Sequence, residues 1–197
     1  IGASGAGAIT LSGDATPGSG SGGNVATLAL ITGSTITATS AGIIETNLAL
    51  TAGGAVNFTD SATNVTLLAI DTSTGNITFI EANGFSVSTV AGVTGVDTDS
   101  GSVALTATTG NLAVVNTAAT NDIEATTTIA LTATADNAVI TIDSAADVES
   151  TGGAHTYTAD DILITGTFTA SGQSVTLKSS TSSDAIILGV AANGTAD

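Results

Sequence analysis

The chain has 197 residues and a net charge of −16, which comes from 17 acidic residues against a single base, Lys178. Nucleic acids and anionic membrane surfaces attract Lys and Arg, so this charge argues against both partners and favours cations. Without cysteine the chain has neither disulfides nor thiolate metal sites. Its longest apolar runs are too short for a membrane helix, which predicts no membrane insertion.

Short strands follow one another along the chain. Thr, Val and Ile dominate most segments and lose rotamer freedom in helices, while Gly, Asn, Asp and Ser punctuate them. The predicted strands are 8–12, 25–32, 35–39, 48–52, 65–70, 76–80, 85–90, 103–108, 112–115, 128–134, 138–142, 162–169, 175–177 and 186–190.

The segment 13–24 interrupts these strands. It is rich in Gly and Ser and contains the pattern Gly-x-Gly-x-x-Gly, which binds phosphates only where it opens a helix. Here it leads into a strand pattern, which predicts a loop. We expect residues 1–197 to form one repetitive β domain that is a segment of a longer chain.

Apolar residues alternate with small or polar ones inside the strands, as Val103 and Leu105 do with Ala104 and Thr106. This period of two predicts one buried and one solvated face. The residues predicted to point inward are Val103, Leu105, Ile129, Leu131, Ile140, Ile142, Ile162, Ile164, Val175 and Leu177.

A degenerate unit recurs, in which a strand ends in Leu-Thr-Ala and a polar turn leads to a second strand. Its leucines are Leu50, Leu105 and Leu131, and the first gap between them is about twice the second. We interpret these gaps as two periods and one period of a repeat of about 26 to 28 residues, a range typical of solenoids. In such folds each unit buries its apolar face against its neighbours.

The phrases Leu-Thr-Ala-Gly-Gly at 50–54, Gly-Asn-Ile-Thr-Phe at 75–79 and Leu-Thr-Ala-Thr-Thr-Gly-Asn-Leu at 105–112 carry a resemblance. They resemble the repeats of filamentous-haemagglutinin-like exoproteins and of giant bacterial β-strand-repeat surface proteins. The resemblance covers the chain from about residue 25 to residue 190. It implies a right-handed parallel β-helix, secretion, and an adhesive or scaffold role, and it carries over no binding residue.

Asp97 and Asp99 are the candidate metal ligands. They alternate in Val-Asp-Thr-Asp-Ser-Gly at 96–101, which is similar to the start of a calcium loop. A second acidic group lies at 121–124. The complete calcium loop is missing, so the alternative is that these acids are solvated turn residues.

The hypothesis that the chain is an enzyme has less support. Asp160 and Asp161 lie near His155, but the chain lacks Arg and the motifs of β-helix hydrolases and lyases. We therefore expect no catalytic activity and place His155 and Tyr157 on the surface. Threonines in Thr-x-Thr order, which suit an ice lattice when they form regular ranks on a flat face, occur at 35–39, 106–108, 132–134 and 165–169.

The sequence thus predicts an extracellular or cell-surface structural segment: a stalk, fibre or adhesive scaffold. Further copies of the same fold are its expected main partner, and surface carbohydrate is a second one. The alternative is a self-assembling β-sandwich subunit of a filament or surface layer, and the third reading is a β-helix carbohydrate-active enzyme or an ice-binding protein.

Overall fold

The computed structural model describes residues 2–3, 7–12, 26–39, 43–118 and 120–181. Over these residues the chain forms strands, turns and bends, with no helix and therefore none long and apolar enough to cross a membrane. The predicted loop at 13–24 and the predicted strand at 186–190 lie outside them.

All strands are short, as the spacing of Gly, Asn and Asp predicts. Those of the first coils are β1 (Gly2–Ala3), β2 (Ile9–Leu11), β3 (Ala26–Thr32), β4 (Ile36–Ala38), β5 (Ile44–Ala52), β6 (Val56–Phe58), β7 (Asn64–Thr72), β8 (Ile77–Glu81), β9 (Phe85–Val87), β10 (Thr89–Val90) and β11 (Val93–Thr94). The later ones are β12 (Val96–Thr98), β13 (Val103–Ala107), β14 (Leu112–Val114), β15 (Ile123–Ala125), β16 (Ile129–Ala133), β17 (Val139–Ile142), β18 (Asp147–Ser150), β19 (His155–Ala159), β20 (Asp161–Ile164), β21 (Thr167–Ala170) and β22 (Val175–Ser179).

One strand from each coil enters an eight-stranded sheet in the order β2-β4-β6-β8-β13-β16-β19-β22, and every neighbour in it is parallel. The register shows that the coils differ in length. The coils between β8 and β19 are the longer ones, and the coils between β4 and β8 and between β19 and β22 are shorter. The chain is a right-handed parallel β-helix with about six turns. The predicted fold class is confirmed, and the β-sandwich alternative is wrong.

The predicted repeat is partly correct. Leu105 and Leu131 are register partners on adjacent coils, as the predicted period requires. Leu50 is not their equivalent, because it lies in β5 of the other sheet, where it pairs with Leu30 and Ile70. The similar phrases around these leucines therefore reflect a shared strand pattern and not a shared place in the coil.

The second sheet forks at β7, which is nine residues long. Its middle residues Leu67 and Leu68 pair with β9, while its last three residues, from Ile70 to Thr72, pair with β12. From that point each coil has two short strands in place of one long strand, with a turn between them. The hairpin β10–β11 forms the first of these turns and is the one antiparallel pair in the described part of the chain.

The turns at this fork differ in length. Residues 88–95, 115–122 and 143–146 form the turns of the longer coils, whereas the last turn is only Thr165 and Gly166 in a shorter coil. The predicted single strand 162–169 is therefore two strands, β20 and β21, which pair with β17 and β18 respectively.

The main hydrophobic core runs through the coils as columns of side chains, and a small second cluster contains Ala49, Ala69 and Val90. Six predicted inward residues are fully or almost fully buried: Val103, Leu105, Ile129, Leu131, Ile140 and Ile142. Ile162, Ile164 and Leu177 pack against this core but are only partly buried. Val175, which was also predicted to point inward, is 36 % exposed.

Glycine is needed where coils approach each other most closely. A Cβ added to Gly53 would lie 2.3 Å from the carbonyl oxygen of Gly33, and one added to Gly101 would lie 2.2 Å from that of Gly75. Both contacts are far inside van der Waals range and involve backbone, which has little freedom to move. These glycines set the tight spacing of the coils at this corner.

Candidate functional site

Four carboxylates form a column on the outer face of the forked sheet. Asp71 in β7 pairs with Asp97 in β12, Asp97 pairs with Glu124 in β15, and Glu124 pairs with Glu149 in β18. Adjacent strands lie about 4.8 Å apart, so each carboxylate has another on the next coil. We call Asp71, Asp97, Glu124 and Glu149 the acidic ladder.

Asp97 is the most perturbed member of the ladder. Burial raises its pKa to about 6, and the charges of Glu124, Asp99 and Asp71 contribute to that rise. A like charge on the neighbouring strand disfavours ionisation because the two carboxylates repel. The ladder therefore carries electrostatic strain at neutral pH that a cation or a proton relieves.

The structure places both predicted metal ligands at this ladder. Asp97 lies half-buried in β12, and the exposed Asp99 follows the end of that strand. Among the described residues, no three Asp, Glu or His side chains converge on one point in the manner of a metal centre. The acids are arranged in a row, which suits diffuse attraction of cations better than enclosure of a single ion.

The second acidic group, at 121–124, is engaged in internal contacts. The buried Asp122 accepts hydrogen bonds at one oxygen from the Thr117 backbone N–H (2.7 Å) and hydroxyl (2.6 Å), and at the other from the Asp147 N–H (2.9 Å). Asn121 donates to Glu124 at 2.9 Å. Asp122 therefore closes the turn at 115–122 and joins it to the next coil.

His155 and Tyr157 are buried, so the prediction that they face the surface is wrong. His155 Nδ1 lies 2.8 Å from the Tyr157 hydroxyl, and Nε2 lies 2.9 Å from Ser150 Oγ. Ser150 Oγ in turn donates to the Gly153 carbonyl oxygen at 2.5 Å. Period-two patterning identified β19 only weakly, since its inward positions hold His and Tyr where neighbouring coils hold aliphatic residues.

The two aspartates near His155 do not join it. Asp160 is almost fully buried, and its Oδ2 accepts a hydrogen bond from the Asn137 N–H at 2.8 Å. Asn137 has a φ of 62°, so Asp160 supports a left-handed turn. Asp161 begins β20, where it pairs with Val139. The ring nitrogens of His155 contact Ser150 and Tyr157, and not these carboxylates.

The outer face of the eight-stranded sheet carries the threonines. Thr106, Thr132 and Thr158 stack in register as one column. The parallel column reads Thr78, Ala104, Ala130 and Thr156, so the Thr-x-Thr ranks seen in the sequence do not form two complete columns. The face is Thr-rich without a regular lattice of paired threonines.

A shallow groove lies on the outer face near the fork, lined by Thr66, Gly84, Phe85, Ser86, Asn111 and Ala113. Phe85 is almost fully buried, so the accessible lining consists mainly of hydroxyl, amide and backbone groups. These groups are of the kind that hydrogen-bond sugars.

Comparison with protein families, with characterised proteins and with solved structures finds no match for this chain. The likeness to haemagglutinin-like repeats stays a prediction from the repeat phrases.

Proposed function

We propose that this chain is a non-catalytic structural segment of an extracellular or cell-surface protein, which acts as a stalk or adhesive scaffold. The observation that carries the proposal is the continuous eight-stranded parallel sheet, in which each coil is hydrogen-bonded in register to the next. This arrangement suits a protein that spans distance, because every added coil extends the rod by about 4.8 Å.

The surface chemistry supports the same role. The outward columns consist largely of Thr, Ala and the acidic ladder, and 17 acids against one base keep the rod strongly negative. High net charge of one sign keeps proteins soluble and resists nonspecific association. The polar groups with the best catalytic chemistry, His155 and Asp160, are instead engaged in internal hydrogen bonds to Ser150 and Asn137.

The location has a direct test. An antibody raised against the purified chain is applied to intact, unpermeabilised cells of the source organism, and a cytosolic protein serves as the lysis control. We expect surface labelling that is lost after brief external protease treatment. Labelling only after permeabilisation would contradict the proposal.

The stalk role is tested by removing one coil. Deleting residues 103–128 brings Ile129 to the position of Val103, so that β16 would pair with β8 in register. We expect the full-length protein to fold, to reach the surface and to be shorter by one coil. A scrambled sequence of equal length at 103–128 is the control, and it should abolish folding.

A binding module would behave differently. Replacing the outward threonines Thr106, Thr132 and Thr158 with Ser should leave attachment to the natural surface unchanged if the segment is a spacer. Loss of attachment by this variant, with normal folding and display, would overturn the stalk role and assign binding to this face.

Self-association is the second candidate function, and exposed apolar side chains favour it. Phe168 is 38 % exposed and Val175 is 36 % exposed, although their strands continue columns of the core. A second copy of this chain, in contact with these side chains, is the partner we propose. Sedimentation over a range of concentrations should show association that Phe168→Ser weakens and Thr106→Ser does not.

A further inference from the structure

The strongest unassigned feature is the buried polar chain formed by Tyr157, His155, Ser150 and the Gly153 carbonyl oxygen. All three side chains have essentially no solvent exposure. Its contacts are 2.8 Å from the Tyr157 hydroxyl to His155 Nδ1, 2.9 Å from Nε2 to Ser150 Oγ, and 2.5 Å from Oγ to the Gly153 oxygen. These hydrogen bonds connect β19 to β18 and to the turn between the two strands.

The Gly153 carbonyl oxygen, at the end of this series of hydrogen bonds, determines where the hydrogens lie. A carbonyl oxygen only accepts, so the Ser150 hydroxyl donates to Gly153 and its oxygen accepts from His155 Nε2–H. Nδ1 then lacks a hydrogen and accepts from the Tyr157 hydroxyl. The Tyr157 hydroxyl, both His155 ring nitrogens and the Ser150 hydroxyl all have hydrogen-bond partners only when the imidazole is neutral.

Apart from Ser150, the residues that pack around His155 are apolar or aromatic, and no carboxylate among the described residues contacts its ring. Ile129 and Val175 flank His155 in its column, and the Phe168 ring lies 6.5 Å away, centroid to centroid. Burial alone accounts for a lowered pKa of His155, with no carboxylate contributing. In an apolar core an unpaired ion is strongly disfavoured.

The charged groups on the packed elements belong to the outer face or to other bonds. On β18, Asp147 and Glu149 alternate with the buried Val148 and Ser150 and so face outward. On β22, Lys178 is exposed. Asp160, which follows β19, accepts its hydrogen bond from Asn137. Among the described residues, Tyr157 is the one titratable group that contacts the His155 ring.

Protonation of His155 breaks this arrangement. A proton added at Nδ1 turns this nitrogen from an acceptor into a donor that faces the Tyr157 hydroxyl. The hydroxyl oxygen can accept this new hydrogen bond, but the hydroxyl hydrogen then has no acceptor. The result is a buried cation together with an unsatisfied donor. The open coil avoids both costs because water solvates the imidazolium.

The members of this hydrogen-bonded group lie between Ser150 and Tyr157 in the sequence, so breaking their hydrogen bonds is a local event. In the following coil, Phe168 and Val175 are 38 % and 36 % exposed.

We infer that His155 is an acid-sensitive latch, which holds β18, β19 and the turn between them together when neutral and releases them when protonated. The expected effect of pH is directional. The folded-state pKa of His155 lies below its ordinary value of 6.5, so its contribution to stability is complete above pH 6.5 and decreases as the pH falls toward the folded pKa. Over that interval the opening equilibrium rises by up to about tenfold per pH unit, for one proton taken up.

Hydrogen exchange of the full chain at pH 7.5, 6.5 and 5.5 tests the latch, with rates expressed relative to a variant at the same pH. His155→Leu matches the aliphatic residues of its column, and His155→Gln is the second variant in case the first packs poorly; neither titrates. We expect the ratio of the parent's exchange rates to those of either variant, over residues 147–159, to rise from pH 7.5 to pH 5.5 by up to about tenfold, with the ratio for residues 77–107 the same at both pH values.

The ring itself supplies an independent readout, because His155 is the only histidine of the chain. Its NMR signal should stay that of a neutral imidazole below pH 6.5 in the closed state. Titration of this signal near pH 6.5 in a chain that stays protected from exchange would overturn the latch. The same pH dependence of exchange in the parent and both variants would overturn it as well.

Discussion

Replacing Leu131 with Ala probes the packing of the core columns. Leu131 is fully buried in β16, where it pairs in register with Leu105 on one neighbouring coil and with Tyr157 on the other. Truncation of a buried leucine to alanine costs about 2 to 5 kcal/mol, with the larger values where the cavity does not collapse. Both neighbours are held by backbone ladders, so we expect a loss of about 3 to 5 kcal/mol in the free energy of unfolding.

Two companion variants define the cause of that loss. Leu131→Asp should be worse than Leu131→Ala, because it adds an unpaired charge to the cavity. Thr132→Ala changes the next residue, which faces outward on the same strand, and should alter stability by no more than about 0.5 kcal/mol.

Urea denaturation followed by circular dichroism measures all three variants against the parent chain. The midpoint should fall clearly for both Leu131 variants and stay unchanged for Thr132→Ala, with a common slope. Equal midpoints for Leu131→Ala and Thr132→Ala would refute the inward assignment of Leu131 and the register of the whole column.

The remaining predictions concern coil spacing, the buried polar chain and the acidic ladder. Gly101→Ala should destabilise the chain by more than about 1 kcal/mol, since the new Cβ would lie 2.2 Å from a backbone carbonyl oxygen. Gly7→Ala is the control: there is open space around Gly7, so this variant should have the stability of the parent in the same denaturation measurement. Tyr157→Phe leaves the imidazole Nδ1 without its donor and should cost about 1 to 3 kcal/mol at pH 7.5. Asp97→Asn should raise the melting temperature at pH 7 and low salt, and the gain should shrink as the pH falls from about 6 toward 3.8, because the parent carboxyl takes up its proton over that range. If the ladder binds calcium specifically, calcium should stabilise the parent more than magnesium does, and joint replacement of Asp97 and Asp99 by Asn should abolish the difference; equal stabilisation by sodium at matched ionic strength would reduce the effect to screening.

The local pattern of the sequence was enough for much of the fold. Alternation of apolar and small residues predicts β13, β16 and β17 within one residue of their observed bounds, with the correct face inward. The spacing of Leu105 and Leu131 also predicts their register. These features depend on the period of the strand and on coil length, both of which are visible along a single chain.

Three of the strands that sequence analysis missed carry an acidic residue. β12, β15 and β18 carry Asp97, Glu124 and Glu149, and Asp and Glu are depleted in strands. Their strand state is decided by the neighbouring coils, which supply the backbone partners. The acidic ladder was therefore not apparent, although Asp71 and Asp97 have the same spacing as Leu105 and Leu131, which was its one sequence signal.

Only the tertiary structure decided which polar side chains lie inside. His155 looks like a surface residue when its strand is considered alone, yet its column continues Ile129 and Val175, and Ser150 and Tyr157 satisfy its ring. The sequence by itself determined the all-β class and the core parity, because both are local. It did not determine the burial of His155 or the stacking of carboxylates, because each depends on contacts between residues one coil apart.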